Sequence, residues 1–137
     1  MKPEAEAALS LAKFHLSEAQ KIYEYGFHAV AARDGYLAAL HAANAWLIHH
    51  NIKHKRHKRI EGAYNKIIKD DRRFDPVKKA LTMGLALKER YDYGAKTDAS
   101  GTTKKEADYM LQQAAALIDI VAKATLKPDN KPPAATL

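Results

Sequence analysis

No cysteine occurs in the chain, which excludes disulfides, thiolate metal ligands and a cysteine nucleophile and fits a reducing, cytoplasmic setting. Acidic charge is in short supply: 23 lysines and arginines stand against 16 aspartates and glutamates, for a formal charge of +7. Long apolar runs are missing too. The most apolar stretch, Tyr36 to Ile48, is broken by His41 and Asn44 and is shorter than the ~20 residues a bilayer span needs, so no membrane partner is expected. The opening residues, Met1-Lys2-Pro3-Glu4-Ala5-Glu6, place acids where an export signal carries bases, and no export is expected. No segment alternates in the manner of a strand, and no glycine loop is built to cradle phosphate. A chain of 137 residues is the size of one soluble domain able to form a core without metal or disulfide staples.

What is present is helical periodicity. Ala5, Leu9, Ala12, Leu16, Ala19 and Tyr23 recur at helical spacing and predict a first helix from about Glu4 to Tyr25, ended by Gly26. Val30, Leu37, Leu40, His41, Asn44, Leu47 and Ile48 predict a second from Phe27 to His50, with Asn51 left-handed beyond it. The short turn between them implies antiparallel packing. Ile60, Ala63, Tyr64, Ile67 and Ile68 mark a third helix that stops at Asp70-Asp71-Arg72-Arg73. Asp75-Pro76 predicts the start of a fourth, carrying Val77, Ala80, Leu81, Gly84, Leu87 and Tyr91 and closed by Gly94, with a loop over 95–101. Thr103 and Glu106 match the capping box of a fifth, with Ala107, Met110, Leu111, Ala114, Leu117, Ile118 and Val121 on its apolar face. The expected fold is all-α: an antiparallel helical bundle of four to five helices over residues 1–126. A disordered tail is expected over residues 127–137, which contain three prolines.

Lys53-His54-Lys55-Arg56-His57-Lys58-Arg59 is basic at every position. Unpaired cations are too costly to bury, so this run faces solvent or an anion. Lys66, Lys69, Arg72 and Arg73 follow it and extend the positive surface. No aromatic residue is interleaved, which points to phosphate contacts rather than base stacking. A plain solvated loop is the competing reading. His50, His54 and His57 would share a face if one helix ran through them, but the surrounding cations repel a metal ion and no acidic ligand is near, so no metal site is expected.

Gly35-Tyr36-Leu37-Ala38-Ala39-Leu40-His41-Ala42-Ala43, then Asn51-Ile52, His57-Lys58 and Leu87-Lys88-Glu89-Arg90-Tyr91-Asp92-Tyr93-Gly94, resemble in order and spacing a branch of the HEPN (higher eukaryotes and prokaryotes nucleotide-binding) domain family. Leu40 stands where that branch has phenylalanine, and Asp92-Tyr93 falls one residue closer to Arg90. The resemblance runs from about Arg33 to Ala122. It implies a bundle of four or five helices, commonly a homodimer, often encoded with a minimal nucleotidyltransferase as a toxin-antitoxin pair. Many members are metal-independent ribonucleases that use an arginine followed, after four to six residues, by a histidine. Here that window holds Ala95, Lys96 and Thr97 after Arg90, and Ala38, Ala39 and Leu40 after Arg33, with His41 one position beyond.

Cleavage through a 2′-hydroxyl needs a group that exchanges protons near neutral pH, which histidine does and tyrosine, with a pKa near ~10, does poorly. The expectation is therefore a protein that binds RNA or a nucleotide without the standard ribonuclease chemistry and without a cofactor. Its nucleic-acid-binding residues are Lys53, Lys55, Arg56, His57, Lys58, Arg59, Arg90 and Tyr93. Two alternatives stay open: an endoribonuclease built on displaced Arg33, His41 and Arg90, and a structural protein whose helical face binds another helix. His41 also reads as a buried histidine hydrogen-bonded across the bundle. Arg90 and Asp92 also read as ion-pair formers, with Tyr93 packed on the fifth helix.

Overall fold

The computed structural model describes residues 1–94 and 101–126, so the loop expected over 95–101, apart from Gly101, and the tail expected over 127–137 lie outside the described residues. Five helices form: α1 Pro3–Glu24, α2 His28–His49, α3 His57–Ile67, α4 Ala80–Gly94 and α5 Lys104–Leu126, with a 3-10 turn at Arg72–Val77 between α3 and α4. No strand occurs among the described residues, and the fold is an all-α helical bundle. None of these helices is long and apolar enough to cross a membrane.

Gly26, at φ 89°, reverses the chain between α1 and α2, and Asn51, at φ 63°, ends α2 in the left-handed conformation. The start of α1 is then tied to the end of α2. Lys2 Nζ donates to the Ile48 carbonyl at 3.4 Å and to Asn51 Oδ1, and Lys53 pairs with Glu4 at 3.1 Å. These contacts between opposite ends confirm the antiparallel pairing.

The organising element is α2, which packs against each of the other helices. Its buried arc includes Ala32, Tyr36, Ala39, Ala43, Trp46 and Leu47, whereas Val30, Leu37, His41, Asn44 and Ile48 of the expected stripe are only half-buried. The reason lies in composition. A helix that is apolar on most sides has no single face for large side chains to mark, and its alanines let neighbours close in. Gly35 and Gly84 serve the same end: a Cβ at Gly35 would lie 2.8 Å from Leu111 Cδ2, and one at Gly84 would lie 2.6 Å from Tyr36 Cδ1. Glycine at these positions allows α5 and α4 to approach α2 closely.

The start of α4 differs from the expectation at Asp75-Pro76. Phe74 and Val77, three residues apart, are both fully buried, a spacing that eclipses in a 3-10 turn. The Val77 carbonyl accepts from Tyr64 Oη at 2.9 Å and the Pro76 carbonyl from Gln113 Nε2 at 3.0 Å, so these acceptors serve α3 and α5. The α-helix begins only at Ala80. At α5 the expected capping box forms: Glu106 N donates to Thr103 Oγ1 and Thr103 N to Glu106 Oε1, both at 3.0 Å. Its predicted apolar positions, Ala107 through Val121, are buried. α3 and α4 both rest on α2 but barely touch each other, which leaves an open seam between them.

Candidate nucleic-acid interface

His41 sits in the half-buried stripe of α2, and its ring stacks on His15 of α1 with centroids 5.0 Å apart and planes 9° apart. It makes no hydrogen bond among the described residues, so the cross-bundle bond expected of a buried histidine is not found. Burial lowers its pKa below the ordinary histidine value, and His15 and His57 act in the same direction. The ring is neutral near pH 7 and able to accept a proton. Arg33 and Asp34 lie about two helical turns earlier on α2. Arg33 turns toward α4, with Nε 3.8 Å from Asp92 Oδ1 and the guanidinium 5.8 Å from the centre of the Tyr91 ring. Its Nη1 lies 3.4 Å from Asp34, whose carboxyl pKa is raised by burial against the opposing pull of Arg33 and His15. Lys88 holds the other Asp92 oxygen at 2.8 Å.

Of the three residues named for a displaced ribonuclease site, Arg33 and His41 both lie on α2, the first turned toward α4 and the second toward α1, while Arg90 points elsewhere. Arg90 Nη1 donates to Glu106 Oε1 at 2.9 Å, and that bond, followed by the one from the Thr103 backbone, holds the Glu106 pKa below the ordinary carboxylate value. Arg90 therefore faces α5 while its neighbours Lys88 and Asp92 face Arg33, as helical geometry requires of residues two apart. Tyr93 is 82% exposed and is not packed into the bundle. His15 is the site residue that the apolar stripe of α1 does not reveal. Its signal is the flanking line Ala8, Leu11, His15, Glu18 and Ile22, which also recurs at helical spacing.

The basic run divides between a loop and the first turn of α3, which starts at His57. Lys53 is paired with Glu4, but Lys55, Arg56, Lys58 and Arg59 are exposed and join no ion pair among the described residues. Arg56 occupies the position before α3 without a capping hydrogen bond, and no acid lies in the first helical turn. Cations at the positive end of a helix dipole repel it, and an anion placed there would relieve both charges. Arg56, His57, Lys58 and Arg59 line an open cleft of about 470 Å³ with Leu85, Lys88 and Glu89 of α4. His57 meets the Tyr36 ring edge-on at 5.9 Å, and burial, then Lys88, lowers its pKa. Arg73 is less available: it binds Asp71 at 2.7 Å and lies 5.5 Å over Trp46.

His50 caps the end of α2 against Trp46, with ring centroids 4.4 Å apart. The helix breaks between His50 and His57, so the three histidines of this stretch do not share a face. Among the described residues no group of three or more histidines and acids could hold a metal ion.

The model of the HEPN domain matches residues 5–124. No curated protein matches the chain. The matched span takes in α1 through most of α5 and includes His15, Arg33, His41, the basic run and Arg90. The chain belongs to the HEPN domain family, whose members are nucleotide- and RNA-related.

Proposed function

We propose that the protein binds RNA or a nucleotide through the loop before α3 and the first turn of that helix, and that it lacks the standard ribonuclease chemistry. The observation that carries this reading is the convergence of Arg56, Lys58 and Arg59, none of them ion-paired among the described residues, with Lys88 on one cleft. Lys53, Lys55 and His57 extend the same phosphate-binding surface, while Arg90 and Tyr93 contribute at the end of α4. Fluorescence anisotropy with a labelled RNA tests it. The variant Arg56→Glu/Lys58→Glu/Arg59→Glu is expected to weaken binding at least tenfold, and an unchanged affinity would contradict the reading.

The same proposal includes a homodimer and a nucleotidyltransferase partner in a toxin-antitoxin pair. Leu11 and Phe14 of α1, 43% and 57% exposed, offer apolar surface for such contacts. Co-expression with a neighbouring nucleotidyltransferase and size-exclusion chromatography is expected to yield a stable complex; separate elution would count against it.

A second reading, a metal-independent endoribonuclease, is favoured by the stacked His15 and His41 pair and the neutral state of His41. RNA cleavage in chelator that disappears in His41→Gln would support this reading, and an absence of cleavage would dismiss it.

A further inference from the structure

The cleft at the start of α3 has a counterpart at the other end of the seam. A second opening, of about 550 Å³, is bounded by Asn65 of α3, Lys69 in the turn after it, Asp75 of the 3-10 turn, Lys78 and Lys79, and Thr82 of α4. Lys69, Lys78 and Lys79 are exposed and join no ion pair among the described residues. Asp75 is the one carboxylate bounding this opening. On α3 the two clefts are joined by one stripe at helical spacing, Lys58, Gly62 and Asn65, which rises about 10 Å at 1.5 Å per residue, with Lys69 in the turn just beyond the helix. On α4 the facing stripe is Thr82, Leu85 and Glu89, with Lys79 immediately before the helix.

The middle of this seam carries three features that packing within the protein leaves unexplained. Gly62 lies inside α3, where glycine costs about 1 kcal/mol relative to alanine. A Cβ placed there would meet nothing within 4 Å, so no neighbouring element requires the glycine. The Tyr36 hydroxyl is buried without a hydrogen-bond partner, as is Asn65 Oδ1. Glu61 of α3 and Glu89 of α4 both act on the Tyr36 hydroxyl electrostatically, and both carboxylates are half-buried and unpaired among the described residues. Buried polar groups normally find partners, and here the vacant acceptors and an open glycine run along the seam, from Glu89 in the first cleft to Asn65 in the second.

We propose that the seam between α3 and α4 is a track for single-stranded RNA, with phosphates held by the cations of the cleft at each end and ribose 2′-hydroxyls accepted by Glu61 and by Glu89, the carboxylate that lines the first cleft. The track rests on the RNA-binding reading of the basic loop and adds a second phosphate site and a sugar preference to it. The two carboxylates select the ligand: a polyanion with no hydroxyl donors would meet them uncompensated along the track, whereas RNA supplies a donor on every ribose. Gly62 leaves room for the strand to run close to the α3 backbone. A single strand suits the geometry because both walls rest on α2, which keeps them within about two interhelical spacings of 8–10 Å.

Anisotropy with a labelled short oligouridylate, the equivalent DNA and an RNA duplex tests the track. Lys78→Glu/Lys79→Glu is expected to weaken single-stranded RNA binding at least tenfold. Gly62→Leu is expected to weaken it similarly while leaving the thermal midpoint unchanged or higher, which separates lost binding from lost folding. Glu61→Gln/Glu89→Gln is expected to erase a preference for RNA over DNA. If these seam variants bind as the wild type does while Arg56→Glu/Lys58→Glu/Arg59→Glu binds weakly, the track is overturned and the loop reading stands. If the loop variant also binds normally, or the wild type binds no RNA, both are overturned. Equal affinity for RNA and DNA overturns the hydroxyl contacts, and tighter binding of the duplex overturns the single-strand assignment.

Discussion

The two sides of α2 are built on different principles. Toward α1, α5 and the body of α4, alanines and glycines bring helices into close contact, and side chains such as Leu47, Leu81, Met110 and Leu117 are completely buried. Along the outer seam, α3 and α4 scarcely meet, charges replace apolar contacts, and polar atoms are left without partners. The packed side is sensitive to volume and indifferent to distant charge. The seam is expected to tolerate added volume without loss of stability. A small bundle can thus keep a charged groove open because its stability is lodged on the opposite side of one central helix.

That contrast can be broken most severely in the core. Leu47→Ala is expected to lower unfolding free energy by about 2–5 kcal/mol in urea titration, since its side chain is fully buried. A loss below about 1 kcal/mol would erase the distinction. The next comparison uses one substitution at two glycines. Gly84→Ala forces a methyl to within 2.6 Å of Tyr36 and is expected to cost about 1–3 kcal/mol, less the gain in helix propensity. Gly62→Ala meets nothing and is expected to stabilise by about 0.5–1 kcal/mol. The opposite signs are the prediction, and equal signs would refute it. Thr103→Ala removes the α5 capping box and is expected to cost about 0.5–2 kcal/mol, read as a shift in the urea midpoint.

The smallest effect concerns pH. His41 and His57 have folded-state pKa values below their unfolded value near ~6.5, so the unfolded chain binds more protons in that interval. Their contribution is fully present above that pH and declines as pH falls below it. Urea midpoints at several pH values are expected to fall less steeply in His41→Gln than in the wild type; parallel profiles would show that His41 is not shifted. The same lowering means that His57 adds charge to the basic cleft at a lower pH than an ordinary histidine would.

Much of the bundle was legible because local signals set it. Gly26, Asn51, the α1 stripe and the Thr103 and Glu106 capping box each act within a few residues and behave as their sequence context implies. The phase of α2 was not legible, because alanine on nearly every side leaves large residues such as Leu37 and Ile48 to suggest a face that is in fact half-open. The start of α4 was obscured by Asp75-Pro76, a good helix start whose neighbours Phe74 and Val77 are instead buried in a 3-10 turn. In the site, the basic run announces itself, but its neutralisation does not. Glu4 reaches Lys53 from the far end of the chain, and Glu106 reaches Arg90 from the next helix, contacts that only the fold brings together. His15 and the lysines at 78 and 79 were hidden for the same reason, since their significance depends on which helix lies opposite.

The most direct test of a charge-built binding face is the salt dependence of RNA affinity, measured for the wild type and for Arg56→Glu/Lys58→Glu/Arg59→Glu. For a single strand, log affinity is expected to fall with log salt by about 0.7 per phosphate contact, and the variant should bind weakly with a visibly flatter slope. Parallel slopes and equal affinities would contradict the account.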